Sequence, residues 1–151
     1  MVGDTDDDRQ ARRLGLSGHR SVPHAADIRI DAWGTSRERC MAEAVLGLVE
    51  CFVDVTAVRA SAVMHLRLPE TDDDDLLIAL LDEVVHRMEV HGQVPVDVEA
   101  DTDDEGLDVR LAVAALADVE VVGPAPKIVA WHGLRFGPDP YGWSCGVTVD
   151  V

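Results

Sequence analysis

The hydrophobic positions along the chain follow two periods, and the switches between them sketch the fold. From Ile28 the residues alternate, with Ile28 and Ile30 to one side and Arg29 and Asp31 to the other. That is the period of a half-buried strand, and Gly34 ends it. In TSRERCMAEAVLGLVECFVD the period changes: Met41, Ala44, Val45, Leu48, Val49 and Phe52 recur at helical spacing. Thr35 and Glu38, three apart, predict a capping box at its start. VRASAVMHLRL alternates again, with Val58, Ala60, Ala62, Met64, Leu66 and Leu68 on one face of a long strand. A second helix is predicted in ETDDDDLLIALLDEVVHRMEVHG, where Thr71 is the candidate cap and Gly92 the stop. Its four aspartates, Asp72 to Asp75, fall in the first turn, where the helix dipole favours negative charge; successive helical positions diverge too widely to converge on one ion.

Two further strands predict a hairpin. VPVDVEAD turns Val94, Val96 and Val98 inward, LDVRLAVAAL turns Leu107, Val109, Leu111 and Val113 inward, and TDDEG joins them. The prolines of VEVVGPAP interrupt regular pairing. KIVAWHGLRF then reads as a strand in which Ile128, Ala130 and His132 share a face, His132 being structural; GPDPYG reads as a turn. WSCGVTVDV is the last strand, with Trp143, Cys145, Val147, Val149 and Val151 on one face. This order predicts an α+β fold of two helices packed on a largely antiparallel or mixed β-sheet.

Composition bounds the picture. A chain of 151 residues, 47% hydrophobic, holds one core, assigned to residues 18–151. Residues 1–17, including GDTDDDRQARR, carry almost no bulky hydrophobe and are expected to be a disordered charged tail. The net charge of −16 repels a phosphate backbone, so no direct nucleic-acid binding is expected; cations and basic protein surfaces are the favoured partners. No stretch reaches the length of a membrane span and the start is no secretory signal, which points to the cytoplasm. Three cysteines without CxxC spacing, Cys40, Cys51 and Cys145, are expected to be free core thiols.

One position resists the pattern. In PHAADIRIDAW a carboxylate, Asp27, opens a strand where a hydrophobe or threonine would pair better. Taken alone it reads as a solvated strand start or an Asx turn. Several separated pieces give it another meaning. GHRSVPHAADIRIDAWG, DDLLIALLDEVV, PKIVAWHGL and the closing VTVDV stand in the order and spacing of motifs that resemble the archease family, the small acidic activators of the RtcB-type RNA ligase. The resemblance spans Gly18 to Val151, with departures at Pro23, Ala25, Leu80 and Asp82.

The resemblance implies a divalent cation held by Asp27, Asp150 and Val151, the last through a backbone or terminal oxygen. Ca²⁺ is the expected ion, with Mn²⁺ or Mg²⁺ as alternatives, because hard cations take several oxygen ligands. His24 is a candidate for an outer role, imidazole being a poor match for such an ion. Lys127, the only lysine in the chain, matches a family lysine tied to ligase activation, and a plain surface salt bridge is the competing reading. The implied function is that of an accessory protein, not an enzyme, which promotes guanylylation of the ligase in tRNA splicing or RNA repair. A small metal-dependent phosphoester hydrolase and a chaperone-like interaction module are the alternatives.

Overall fold

The computed structural model describes residues 6–23 and 26–151. The alternation that starts at Ile28 produces β2 (Asp27–Gly34), which buries Ile28, Ile30 and Ala32 and leaves Asp27, Arg29 and Asp31 on the opposite face. On one side it pairs with β1 (Gly18–Pro23), on the other with β9 (Gly142–Asp150). The outer neighbour of β9 is β8 (Ile128–Asp139), giving a four-stranded sheet in the order β1-β2-β9-β8. A three-stranded sheet, β4-β6-β5, comes from β4 (Ala62–Leu68), β5 (Gln93–Asp103) and β6 (Gly106–Ala115). A short ribbon joins β3 (Val53–Asp54) to β7 (Glu120–Val121). All pairings among the described residues are antiparallel, and the fold is α+β.

Two helices explain why the strands divide between sheets instead of forming the one layer expected. α2 (Arg37–Glu50) buries Cys40, Met41, Ala42, Ala44, Val45, Gly47, Leu48 and Val49; α3 (Asp73–His91) buries Leu76, Leu77, Ile78, Leu80, Leu81, Val84, Val85 and Met88. At about 100° per residue these positions cover more than half of each circumference, so one sheet cannot shield them. α2 accordingly packs on β2 of one sheet and β5 of the other, and α3 on β8 and β5. Truncating any of the fully buried leucines, such as Leu77, Leu81 or Leu111, to alanine is expected to cost about 2–5 kcal/mol.

Local details differ from the sequence pattern. The N-cap of α2 is Ser36, whose hydroxyl accepts from the Arg39 N–H at 3.0 Å, one residue beyond Thr35. Glu38 does not close a capping box; its Oε2 accepts from Thr102 Oγ1 at 2.6 Å and from Arg37 Nε at 2.9 Å. α3 starts after Asp72 rather than Thr71, and Gly92 ends it in the left-handed conformation at φ 60°. β4 begins at Ala62, so Val58 and Ala60 fall in the preceding loop. Val96 sits at a register shift between Pro95 and Asp97 and is only half-buried. β8 runs through Asp139, leaving a tight turn in which Asp139 Oδ1 accepts from the Tyr141 N–H at 2.9 Å.

The largest correction concerns residues 1–17, expected to be disordered. Residues 1–5 lie outside the described residues, but α1 (Asp6–Arg13) is a helix docked on the larger sheet. Its anchor is Arg12, 7% exposed, whose Nη2 donates to Asp139 Oδ2 at 2.5 Å while the guanidinium lies 5.1 Å from the centre of the Tyr141 ring. Asp8 adds an ion pair with Arg20 at 2.8 Å. A count of hydrophobes misses this because the buried surface is the stem and planar head of an arginine.

Candidate functional site

Asp27 opens β2 and Asp150 closes β9, and the register places them directly opposite each other. Val151 N–H donates to the Ala26 carbonyl at 3.3 Å just beyond that pair. In an antiparallel ladder a bond in that place flanks a non-hydrogen-bonded pair, the kind whose side chains stand closest. On the other side of β9, Lys127 N–H donates to the Asp150 carbonyl at 2.9 Å, and Ile128 is the register partner of Asp150. Asp27, Asp150, Val151 and Lys127 thus meet at one corner of the sheet. Asp27 is half-buried, Asp150 and Lys127 are exposed, and Val151 packs its side chain against the core. His24 lies outside the described residues.

The electrostatics of this corner are one-sided. Like charges directly opposite across a ladder repel. The nearest guanidinium in β2 is committed elsewhere: Arg29 Nη1 donates to the Gly133 carbonyl at 2.8 Å, and Arg29 Nε lies 3.6 Å from Asp31 Oδ1. Among the described residues neither Asp27 nor Asp150 has an ion-pair partner, nor does Lys127. Hard oxygen donors facing each other without a counter-charge are chemically matched to a divalent cation. Among the described residues no group of three or more His, Cys, Asp or Glu side chains converges to hold a metal, neither at this corner, which offers two carboxylates, nor among the aspartates at the head of α3.

The other clusters contain groups of both charges. His19 on β1 is held by Glu43 at 2.8 Å on Nδ1 and by Glu50 on Nε2. Burial alone would lower its pKa, but the hydrogen bonds to the two glutamates outweigh this and raise it to about 9. A cavity of about 330 Å³ gathers Arg12, Arg20 and Arg135 beside Asp31, Asp139 and Ser144. Burial there would raise the Asp139 carboxyl, and the Arg12 guanidinium instead holds it below the usual range. Cys40 and Cys145 are buried free thiols. The Cys40 pKa is pushed far up by its hydrogen bond to Cys145 and by burial, which keeps it a core thiol. Sequence pattern revealed neither cluster, since both join residues more than twenty apart in the chain.

Sequence pattern also placed His132 wrongly. β8 advances five residues, from Ala130 to Arg135, while β9 advances two, from Thr148 to Gly146. The surplus extrudes Trp131, His132 and Gly133 as a bulge, and both His132 and Ile128 are exposed, so His132 has no structural role on a buried face. Lys127 also lines a groove of about 290 Å³ together with Phe52, Val85, Met88, Leu116 and Pro126.

Two helices buried between antiparallel sheets, with an acidic corner where the first long strand meets the last, define a class of small α+β proteins. A model of the Archease protein family (MTH1598/TM1083) matches residues 19–151, and the chain belongs to that family. It is 44% identical over 143 residues to a probable protein archease of Mycobacterium tuberculosis, covering 94% of this chain and 80% of that protein. To a protein archease of Thermococcus kodakarensis it is 34% identical, covering 85% and 94%. The solution structure of protein 1598 of Methanobacterium thermoautotrophicum superposes with a TM-score of 0.71 at 20% identity, covering 89% of this chain and 99% of that one. The crystal structure of an archease of Thermotoga maritima, described as a "possible chaperone", gives 0.64 at 19% identity, covering 86% and 94%. These two likenesses establish the fold.

Proposed function

We propose that this chain is an accessory protein, not an enzyme, that activates an RtcB-type RNA ligase by promoting its guanylylation and turnover in tRNA splicing or RNA repair. The observation that carries the reading is the Asp27/Asp150 pair beside Lys127 in a chain of the archease family. Asp27, Asp150 and a main-chain oxygen of Val151 would hold a divalent cation, Ca²⁺ by the preference of hard ions for several oxygens, Mn²⁺ or Mg²⁺ by the same donor set. When bound, such an ion supplies a positive centre with coordination positions left for water or a partner's oxygen. Lys127 presents a compact ammonium beside it, suited to a carboxylate or phosphate at the partner's site. The net charge of −16 steers the whole molecule toward a channel that is basic because it binds RNA. The GTP and Mn²⁺ of the joining reaction belong to the ligase.

Reconstitution with the cognate ligase and GTP tests this. The wild-type chain is expected to accelerate ligase guanylylation, and Asp27→Ala and Lys127→Ala to lose at least tenfold of that stimulation. A ligase competent on its own whose guanylylation does not respond to the wild-type chain would sink the proposal. A chaperone-like role is the second reading, favoured by the exposed apolar residues Val121, Val122, Ile128 and Trp131. It requires that unfolded clients be kept from aggregating equally well by Lys127→Ala and in the presence of a chelator. Phosphoester turnover by the chain alone, abolished in Asp27→Asn, would instead assign a metal-dependent hydrolase.

A further inference from the structure

β8 is an edge strand of the four-stranded sheet, and edge strands ordinarily protect themselves with charge, proline or a bulge that twists the edge away. The bulge is present here, yet what it displays is apolar. Trp131 is 54% exposed and Ile128, three residues earlier on the same strand, is 60% exposed. The protective explanation accounts for the bulge and leaves the indole unexplained.

The bulge is also fixed in shape. Gly133 adopts φ 71°, a left-handed conformation that side chains resist, and its carbonyl receives the 2.8 Å bond from Arg29 Nη1. Arg29 reaches it by crossing β9 over Gly146, where an added Cβ would lie 2.0 Å from Arg29 Nη2. Two glycines and an arginine from a neighbouring strand therefore fix the backbone of the bulge that carries the exposed tryptophan. A large rigid side chain displayed before binding forfeits little conformational entropy on docking, and tryptophan is among the residues that dominate interface energetics.

We propose that the Trp131 bulge, with Ile128 three residues before it on the same edge strand, is the anchor by which this chain docks on its protein partner, the indole entering an apolar socket whose surrounding surface is basic. The proposal rests on the ligase reading above and names the docking element of that same corner, since Ile128 is the register partner of Asp150. Charge selects the class of occupant. At −16, a second copy of this chain, an anionic membrane and an RNA strand are all repelled, whereas a basic protein surface around an apolar socket is attracted.

The test measures binding and stimulation separately, using the full chain and the cognate ligase. By calorimetric titration, Trp131→Ala is expected to weaken binding at least tenfold, Trp131→Phe to recover most of that loss, and both variants to melt with the wild type. Binding of the wild type should weaken with added salt, and Trp131→Ala should keep that salt slope because the charged rim is intact. Trp131→Ala binding as tightly as the wild type overturns the anchor while leaving activation standing. Loss of binding in Trp131→Ala, where the wild type binds but does not stimulate guanylylation, upholds the anchor and overturns activation. A wild-type chain that does not bind the ligase at all overturns both. A substitution whose measurable effect is on self-association or on RNA binding overturns the anchor as stated.

Discussion

Among the described residues two pairs of aspartates face each other across neighbouring strands, and they are treated differently. In the three-stranded sheet Asp101 of β5 stands opposite Asp108 of β6. Arg110 bridges them, lying 2.7 Å from Asp101 and 3.3 Å from Asp108 while also reaching Glu99 at 3.1 Å. In the four-stranded sheet Asp27 stands opposite Asp150, and among the described residues no cation bridges them. Elsewhere the same economy of arginine recurs: Arg37 serves Glu38, Glu70 and Asp73, and Arg67 serves Asp103, Glu105 and Asp108. Two facing acid pairs are left without such a cation among the described residues, Asp27/Asp150 and Asp54/Glu120; Asp54 is already engaged by the Thr56 N–H and hydroxyl at 2.9 and 2.7 Å, so the first pair is the one that suits the proposed cation from outside.

The largest expected effect follows from that contrast. Calcium at about a hundredfold its dissociation constant would stabilise the native state by about 2.7 kcal/mol, a rise in Tm of about 5–10 °C for a domain of this size. Thermal unfolding with and without Ca²⁺ should show that rise in the wild type and in Asp101→Asn, and none in Asp27→Asn or Asp150→Asn. If Asp101→Asn loses the response as well, or if the wild type never shows it, the two pairs are equivalent and the contrast has no functional meaning.

How far this contrast was legible in the sequence depends on what periodicity encodes. Alternation identifies the buried residues of β2, β6 and β9, and helical spacing finds α2 and α3, because burial of one face imposes a period whatever the partner. Periodicity does not say which strands are neighbours. The expectation that Asp27 and Asp150 share a site came from the resemblance of the motifs, and the register places the two residues opposite each other. The bulge on β8 escaped because three surplus residues break the period on which the reading depends, so His132 was given a structural role that its exposed position does not support. The cap of α2 is Ser36 and not Thr35, which leaves Glu38 at the second helical position, where it accepts from Thr102, 64 positions away in the chain. β1 has no alternation to read, and α1 is anchored by an arginine; both depend on contacts with strands distant in the chain.

A further acidic pair sharpens the comparison through pH. Glu43 and Glu50 are bridged by His19, a cation that can be switched off, where Arg110 cannot. The His19 pKa is raised to about 9 in the folded chain against 6.5 in the unfolded one. Its contribution is therefore fully present below pH 6.5 and is lost as pH rises through about 9. Allowing for solvent screening at its partly open edge, the loss is about 1 kcal/mol. Denaturant midpoints should fall across that window in the wild type and stay flat in His19→Gln. A wild-type midpoint that is flat from pH 6.5 to 9 would mean that the histidine is not charged between its glutamates.

The smallest effect is the most direct probe of the bare pair. Without divalent cations, facing carboxylates 27 and 150 repel, and removing one charge relieves a cross-strand interaction of about 0.2–1 kcal/mol. Asp27→Asn is thus expected to stabilise the protein slightly in chelator, although the same substitution destabilises it relative to the wild type in calcium. Asp101→Asn behaves in the opposite sense, since it removes a carboxylate that Arg110 already neutralises and leaves that arginine with one partner fewer. Added salt discriminates further. Screening should shrink the gain in Asp27→Asn, because the repulsion it relieves is then weaker in the wild type too. A crossover of the Asp27→Asn and wild-type stabilities between chelator and calcium therefore distinguishes a cation site from a surface acid, for which the sign would be the same in both buffers.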